Sequence, residues 1–291
     1  MNDENDIDHD NIFLKLHDKS VKDLYWLLFS KCPINNQHPE LSEIPFFPSE
    51  ILEEWRTIGC DYFLNLDRYP NDLHEFLKRP KNSRLGFYAE GLLSFFFQTF
   101  SGIELLIQNH QIIHKKKTLG EVDFIIRWKE RVLHIECAIK FYLFDHSKSI
   151  NDLHSWIGPA CKDDLGRKIK KVREHQLPII NSAKCKDVLG LKNIESYLFL
   201  KGKLFVNQKV SCDWVNINLL GRYDYLRDLR EHSGLKVLIK PFWMSSQSEN
   251  NIDTNKKSFD TKYLLKRAEL VQEKGAKPFF IAPNDWPFLN G

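Results

Sequence analysis

The chain has 291 residues, 42% hydrophobic and 28% charged, with a formal net charge of +3, ordinary values for a soluble globular protein with a sizeable core. Six scattered cysteines (Cys32, Cys60, Cys137, Cys161, Cys185, Cys212) form no Cys-x-x-Cys pair, which excludes a zinc signature and a disulfide framework and points to a reducing cytoplasm. No apolar run approaches the roughly 20 residues of a membrane span, and the acidic Met1–Asp10 is the reverse of a signal peptide.

The charge is unevenly spread. Residues 1–80 hold 8 Lys and Arg against 16 Asp and Glu, and residues 81–291 hold 34 against 23. A basic body behind an acidic leader suits a polyanionic partner. Residues 1–11 read as a disordered acidic tail, and 12–80 as a helical, loop-rich extension packed on the main body at 81–291. Within that extension, Ser20 with Asp23 resembles a capping box leading into Leu24–Phe29. A proline-rich connector follows, then helices over Ser49–Thr57 and Asn71–Lys78 with Gly59–Pro70 between them.

Arg84–Phe100 is a strongly apolar helix carrying one acid, Glu90, on the flank of Phe87, Leu93, Ser94 and Phe97. A carboxylate there is costly unless paired, protonated or bound to a cation; read alone, Glu90 simply meets the helix dipole from the first turn. Ile103–Lys115 is the next strand. A hairpin then joins Glu121–Trp128 to Arg131–Phe141 through Lys129 and Glu130. A helix is expected over Cys161–Leu177, with Leu165, Ile169, Val172 and Gln176 inward and Arg167, Lys168, Lys170, Lys171 and Arg173 on its other faces. Taken alone, that helix is a solvated surface element. Strands follow at Tyr197–Val206 and Leu235–Lys240, then a polar loop at Ser245–Ser258, a helix at Thr261–Lys274 and a last strand at Pro278–Ala282. This succession is an α/β pattern.

The hairpin carries the chemistry. At a side-chain period of two, Leu133, Ile135, Cys137, Ile139 and Phe141 share an apolar face, opposite Val132, His134, Glu136, Ala138 and Lys140. On the preceding strand Glu121, Asp123 and Ile125 share a face. If the polar faces coincide, Asp123 and Glu136 converge beside a lysine. Two carboxylates, with the Cys137 carbonyl as a third ligand, suit Mg²⁺ or Mn²⁺. Such a cation would acidify a bound water and offset charge on a phosphate, and Glu90 could complete its shell directly or through water. The plainer alternative is cross-strand pairing on a solvated surface. His134 reads as a hydrogen-bonded neighbour and not a ligand.

In order, Arg84-Leu-Gly-Phe-Tyr-Ala-Glu90, Thr118-Leu-Gly-Glu-Val-Asp-Phe124, Glu136-Cys-Ala-Ile-Lys140, Trp156-Ile-Gly-Pro159, Asp164…Lys168…His175-Gln176-Leu177 and Ala282-Pro-Asn-Asp-Trp-Pro287 form a specific series. With it the chain resembles the PD-(D/E)XK, restriction-endonuclease-like nuclease superfamily, and within it a bacterial domain family of unknown function. The resemblance implies a mixed sheet flanked by helices, Asp123 and Glu136 as metal ligands, Glu90 as an accessory acid and Lys140 as the catalytic lysine. Arg167, Lys168, Lys171 and Gln176 would face the phosphate backbone. It implies a metal-dependent nuclease, acting on DNA in preference to RNA, or an inactive relative that keeps only nucleic-acid or protein binding. The superfamily's lysine normally stands two residues after the acid, where this chain has Ala138. Lys140 lies about 13 Å beyond Glu136 at roughly 3.3 Å per residue, so Lys140, Lys168 or a loss of catalysis all remain open.

Overall fold

The strand Arg131–Phe144 organises the molecule, because its two faces differ in kind. Leu133, Ile135, Phe141 and Leu143 enter one apolar core with a set of helices, whereas Ala138, Tyr142 and Phe144 enter a second core on the other side. The stripe legible in the sequence is therefore the face on which the larger core is built.

The structure is a computed structural model that describes residues 10–78, 84–114, 116–181, 190–229, 234–245, 258–259 and 265–288. In chain order it contains helices α1 (Asn11–Lys15), α2 (Lys19–Phe29), α3 (Ser49–Ile58), α4 (Cys60–Arg68), α5 (Asn71–Leu77) and α6 (Leu85–Thr99). Strands β1 (Ile103–His114), β2 (Lys117–Trp128), β3 (Arg131–Phe144) and the short β4 (Trp156–Ile157) precede helix α7 (Leu165–Lys171), which runs on into a π turn at Val172–Gln176. Strands β5 (Ile194–Val206), β6 (Gly221–Tyr225), β7 (Lys236–Val237), β8 (Glu269–Gln272) and β9 (Phe279–Ala282) complete the mixed α/β fold. The sheet runs β1-β2-β3-β5-β6-β9-β8-β7, with β4 on β3. The β1–β2–β3 meander is antiparallel, and β5 lies parallel to β3.

Helices α2 and α6 pack on the Leu133–Phe141 face together with Trp55, whose ring lies 5.5 Å from Phe96 and 5.9 Å from Trp128. Helix α6 is buried along most of its length, which explains an apolar content too high for a surface helix. On the other side, Leu165, Ile169 and Val172 of the α7 segment join Ala138 and Tyr142.

Several expectations need correction. Helix α2 is capped by Asp18, not Ser20: its Oδ1 accepts from Ser20 N–H at 2.9 Å and Val21 N–H at 3.1 Å. The stretch between the two expected short helices is itself largely α4, amphipathic around buried Phe63. The basic helix begins at Leu165 and not Cys161, because Asp164 caps it by accepting from Arg167 N–H at 2.8 Å. Of Thr261–Lys274, residues 261–264 lie outside the described residues and Glu269–Gln272 is a strand. Pairing of Leu270 with Phe280 buries Leu270 and Val271 and overrides the helical spacing. Of Leu235–Lys240 only Lys236–Val237 is a strand; a 3₁₀ turn begins at Lys240, where Pro241 has no N–H to give a ladder. Residues 1–9, Lys115 and 246–257 lie outside the described residues. Among the described residues no helix is long and apolar enough to cross a membrane.

Gly202 allows β5 to pass close to β3. It pairs with Lys140 at φ +129°, and a Cβ there would stand 1.7 Å from the Lys140 carbonyl oxygen. Gly202→Ala should therefore cost about 3 kcal/mol or more in urea unfolding; a loss below about 1 kcal/mol would show that the two strands can separate freely.

Candidate functional site

Strand β3 has β2 on one edge and β5 on the other, and the candidate site lies where it loses β2 and keeps β5. Its ladder with β2 ends at the pair Phe124–Ile135, whereas its ladder with β5 runs from Val132 to Leu143. Just past the last β2 pair, the Cys137 N–H donates to Asp123 Oδ2 at 2.9 Å. A carboxylate thus takes up a main-chain donor that the departing strand no longer serves. Asp123 is held at the mouth of the gap between the strands.

Glu136 is buried, with 1% of its surface exposed. Its Oε1 accepts from Lys168 Nζ at 3.1 Å and from Gln176 Nε2, and Lys168 Nζ also donates to Gln176 Oε1 at 3.1 Å. Its Oε2 is buried and has no hydrogen-bond partner among the described residues. An unpartnered oxygen on a buried carboxylate is costly. Burial, and then the charge of Asp123, push the Glu136 carboxyl above its usual range, while Lys168 pulls it back. Asp123 is also raised by burial, against the Cys137 N–H and the charges of Lys168 and Lys171. Glu90 on α6 is pushed up to about 7 by burial first, then by Asp123 and Glu121. Glu90 on α6 and Glu136 on β3 therefore both feel the charge of Asp123 on β2.

The hard, all-oxygen donors Asp123 and Glu136, with a spare buried oxygen on Glu136, fit a divalent cation that keeps several of its waters. Glu90 does not turn them into a finished cage: among the described residues no group of three or more His, Cys, Asp or Glu side chains is arranged to hold a metal ion.

The other sequence candidates divide. Lys140 is drawn away to Asp163, which also accepts from Tyr142 O–H at 3.0 Å. Lys168, not Lys140, supplies the amine at Glu136. Gln176 likewise points inward to Glu136. Arg167 pairs with Asp164, its own helix cap, whose Oδ1 lies 2.8 Å from His154 Nδ1. Lys171 is exposed, and its charge still reaches Asp123. His134 is a buried neighbour, with Nδ1 3.0 Å from Ser196 Oγ, and burial lowers it to about 4, so it is neutral. Sequence reasoning missed Asp163 as the competitor for Lys140. The only signal was the doublet Asp163-Asp164 ahead of a basic helix.

The raised carboxyl of Glu90 has a definite sign in stability. A folded pKa near 7, above an unfolded value of about 4.3, means that the folded chain binds the proton more tightly. Stability is then fullest below the unfolded pKa and falls as pH rises through 7. Glu90→Gln should stabilise the protein at pH 8 by about 1 kcal/mol, with the gain shrinking toward pH 4. A gain independent of pH in chemical denaturation would mean that Glu90 carries no such load.

No curated protein matches the chain, and no solved structure matches it. The model of one family, described as a domain of unknown function (DUF1853), matches residues 22–280. That match spans α6, the meander and α7, and with them every candidate site residue, and the chain belongs to the DUF1853 family.

Proposed function

We propose that the protein is a metal-dependent phosphodiesterase acting on nucleic acid, DNA in preference to RNA, with a PD-(D/E)XK-type site. The observation that carries this reading is the meeting of Asp123 and Glu136 where β2 and β3 part, with one Glu136 oxygen spare and the Lys168 amine on the other. The succession α6, β1–β2–β3, α7 and parallel β5 agrees with the mixed, helix-flanked sheet that the sequence resemblance implies.

Asp123 and Glu136 would hold Mg²⁺ or Mn²⁺, which when bound supplies an acidified water and offsets phosphate charge. Lys168, anchored to Glu136 and Gln176, places a positive charge beside the pair, where it can stabilise negative charge developing on a phosphate. Glu90, raised to about 7, can hold or release a proton at neutral pH. Ala138 occupies the superfamily's usual lysine position and is buried in the core that contains Leu165, Ile169 and Val172. The amine therefore arrives from the adjoining helix. Exposed Lys171, with Arg167 at the start of the same helix, would meet neighbouring phosphates and make affinity salt-dependent.

A second reading, a nucleic-acid-binding relative without catalysis, is favoured by the capture of Lys140 by Asp163 and by the lack of a three-ligand group among the described residues. Cleavage of plasmid and single-stranded DNA with Mg²⁺ or Mn²⁺ separates the two. Asp123→Ala and Glu136→Ala should abolish cleavage, Lys168→Ala should lower it about 100-fold or more, and Lys140→Ala should cost less than tenfold. Equal cleavage by wild type and Asp123→Ala would refute the nuclease reading. Salt-sensitive binding without cleavage would establish the second.

A further inference from the structure

Lys168 and Gln176 both reach the same oxygen of Glu136, although eight residues separate them. A regular α-helix advances about 100° per residue, so eight residues leave two side chains about 80° apart around the axis. Two groups so disposed sit at opposite edges of one helix face and must bend toward each other to reach a single buried atom. The π turn removes the mismatch: the Leu177 N–H donates to the Val172 carbonyl, five residues back, at 3.0 Å. The one extra residue in that turn takes up about 100° and brings the two side chains within about 20° of one bearing. Val172 remains buried through the turn, so the packing against Ala138 is kept while Gln176 is re-aimed.

We propose that Gln176 is a positioning residue for Glu136, and that the π turn at Val172–Gln176 is the device that aims it. With Nε2 donating to Glu136 Oε1 and Oε1 accepting from Lys168, Gln176 closes a three-membered ring of hydrogen bonds. The ring fixes the plane of the carboxylate and leaves Oε2, the oxygen without a partner among the described residues, as the free ligand. Gln176 thus serves the site from behind and is not itself a phosphate contact. This rests on the reading of Asp123 and Glu136 as a cation site.

The test is Mn²⁺ binding to the full chain, followed by electron paramagnetic resonance, for wild type, Gln176→Met, Glu136→Gln and the double variant. Gln176→Met keeps the side chain's length but removes its donor, and should weaken Mn²⁺ binding about tenfold together with a fall of a few degrees in melting temperature, because the buried carboxylate loses a hydrogen bond. In the Glu136→Gln background the same change should have no further effect, because the two residues act as one unit. Gln176→Leu, also without a donor, gives the same comparison should the Met variant fold poorly. Unchanged affinity in Gln176→Met, or an equal loss in both backgrounds, would overturn the positioning role while leaving the cation site standing. A wild type that binds no Mn²⁺ would remove both.

Discussion

The structure depends most on how a buried carboxylate, Glu136, is kept in the interior. Taking a charge out of water costs several kcal/mol unless an opposite charge and hydrogen bonds compensate. Lys168 and Gln176 compensate at one oxygen and nothing described does so at the other. A residue present only for stability would be replaced at little cost by an apolar one of similar size. The asymmetry between its two oxygens, together with the raised carboxyls of Glu90 and Asp123, marks the place as one where stability has been given up.

The rest of the fold holds this arrangement in place. The cost of exposing β3 on both sides is met by two separate cores, so its direction and register are fixed before any charge is considered. The N-terminal helices are tied to the sheet by polar contacts as well as packing. Lys201 on β5 is buried and donates to the Leu28 carbonyl at 2.9 Å and to that of Ser30, at the C-terminal end of α2, where a positive charge is favourable. Burial lowers its amine to about 8. Asp23, also buried, accepts from Tyr88 O–H at 2.9 Å and Ser245 O–H at 2.6 Å, joining α2 to α6 and to the segment after Trp243. Helix α6, which carries Glu90, is thereby clamped between the leader and the meander.

Lys140 illustrates how a side chain on the expected strand face can be engaged elsewhere. It shares a strand face with Glu136, yet the turn before α7 brings Asp163 to its amine and Tyr142 to the same carboxylate. The pair is partly exposed, so its energetic worth is small. Its effect is geometric: the amine is held toward Asp163, and the helix supplies Lys168 in its place.

Much was legible from local pattern. The alternation of Leu133, Ile135, Cys137, Ile139 and Phe141, the turn at Lys129–Glu130 and the apolar run of α6 obey periods of two and 3.6 that act over a few residues, and they appear where expected. The shared neighbourhood of Asp123 and Glu136 followed from the same alternation. Helix α4 and strand β8 were not foreseen: the first is a short helix that directly follows α3 at Gly59 and is held by packing of its apolar face on α2 and α6, and the other is a strand only because β9 lies beside it. Which lysine serves Glu136, which acid claims Lys140 and how the π turn aims Gln176 were likewise settled in three dimensions. Sterics and alternation are properties of neighbouring residues, and so the amino-acid order alone determines them. The partner of a charge depends on which faces and layers meet, and only the assembled fold brings residues 32 and 40 positions apart to the same oxygen.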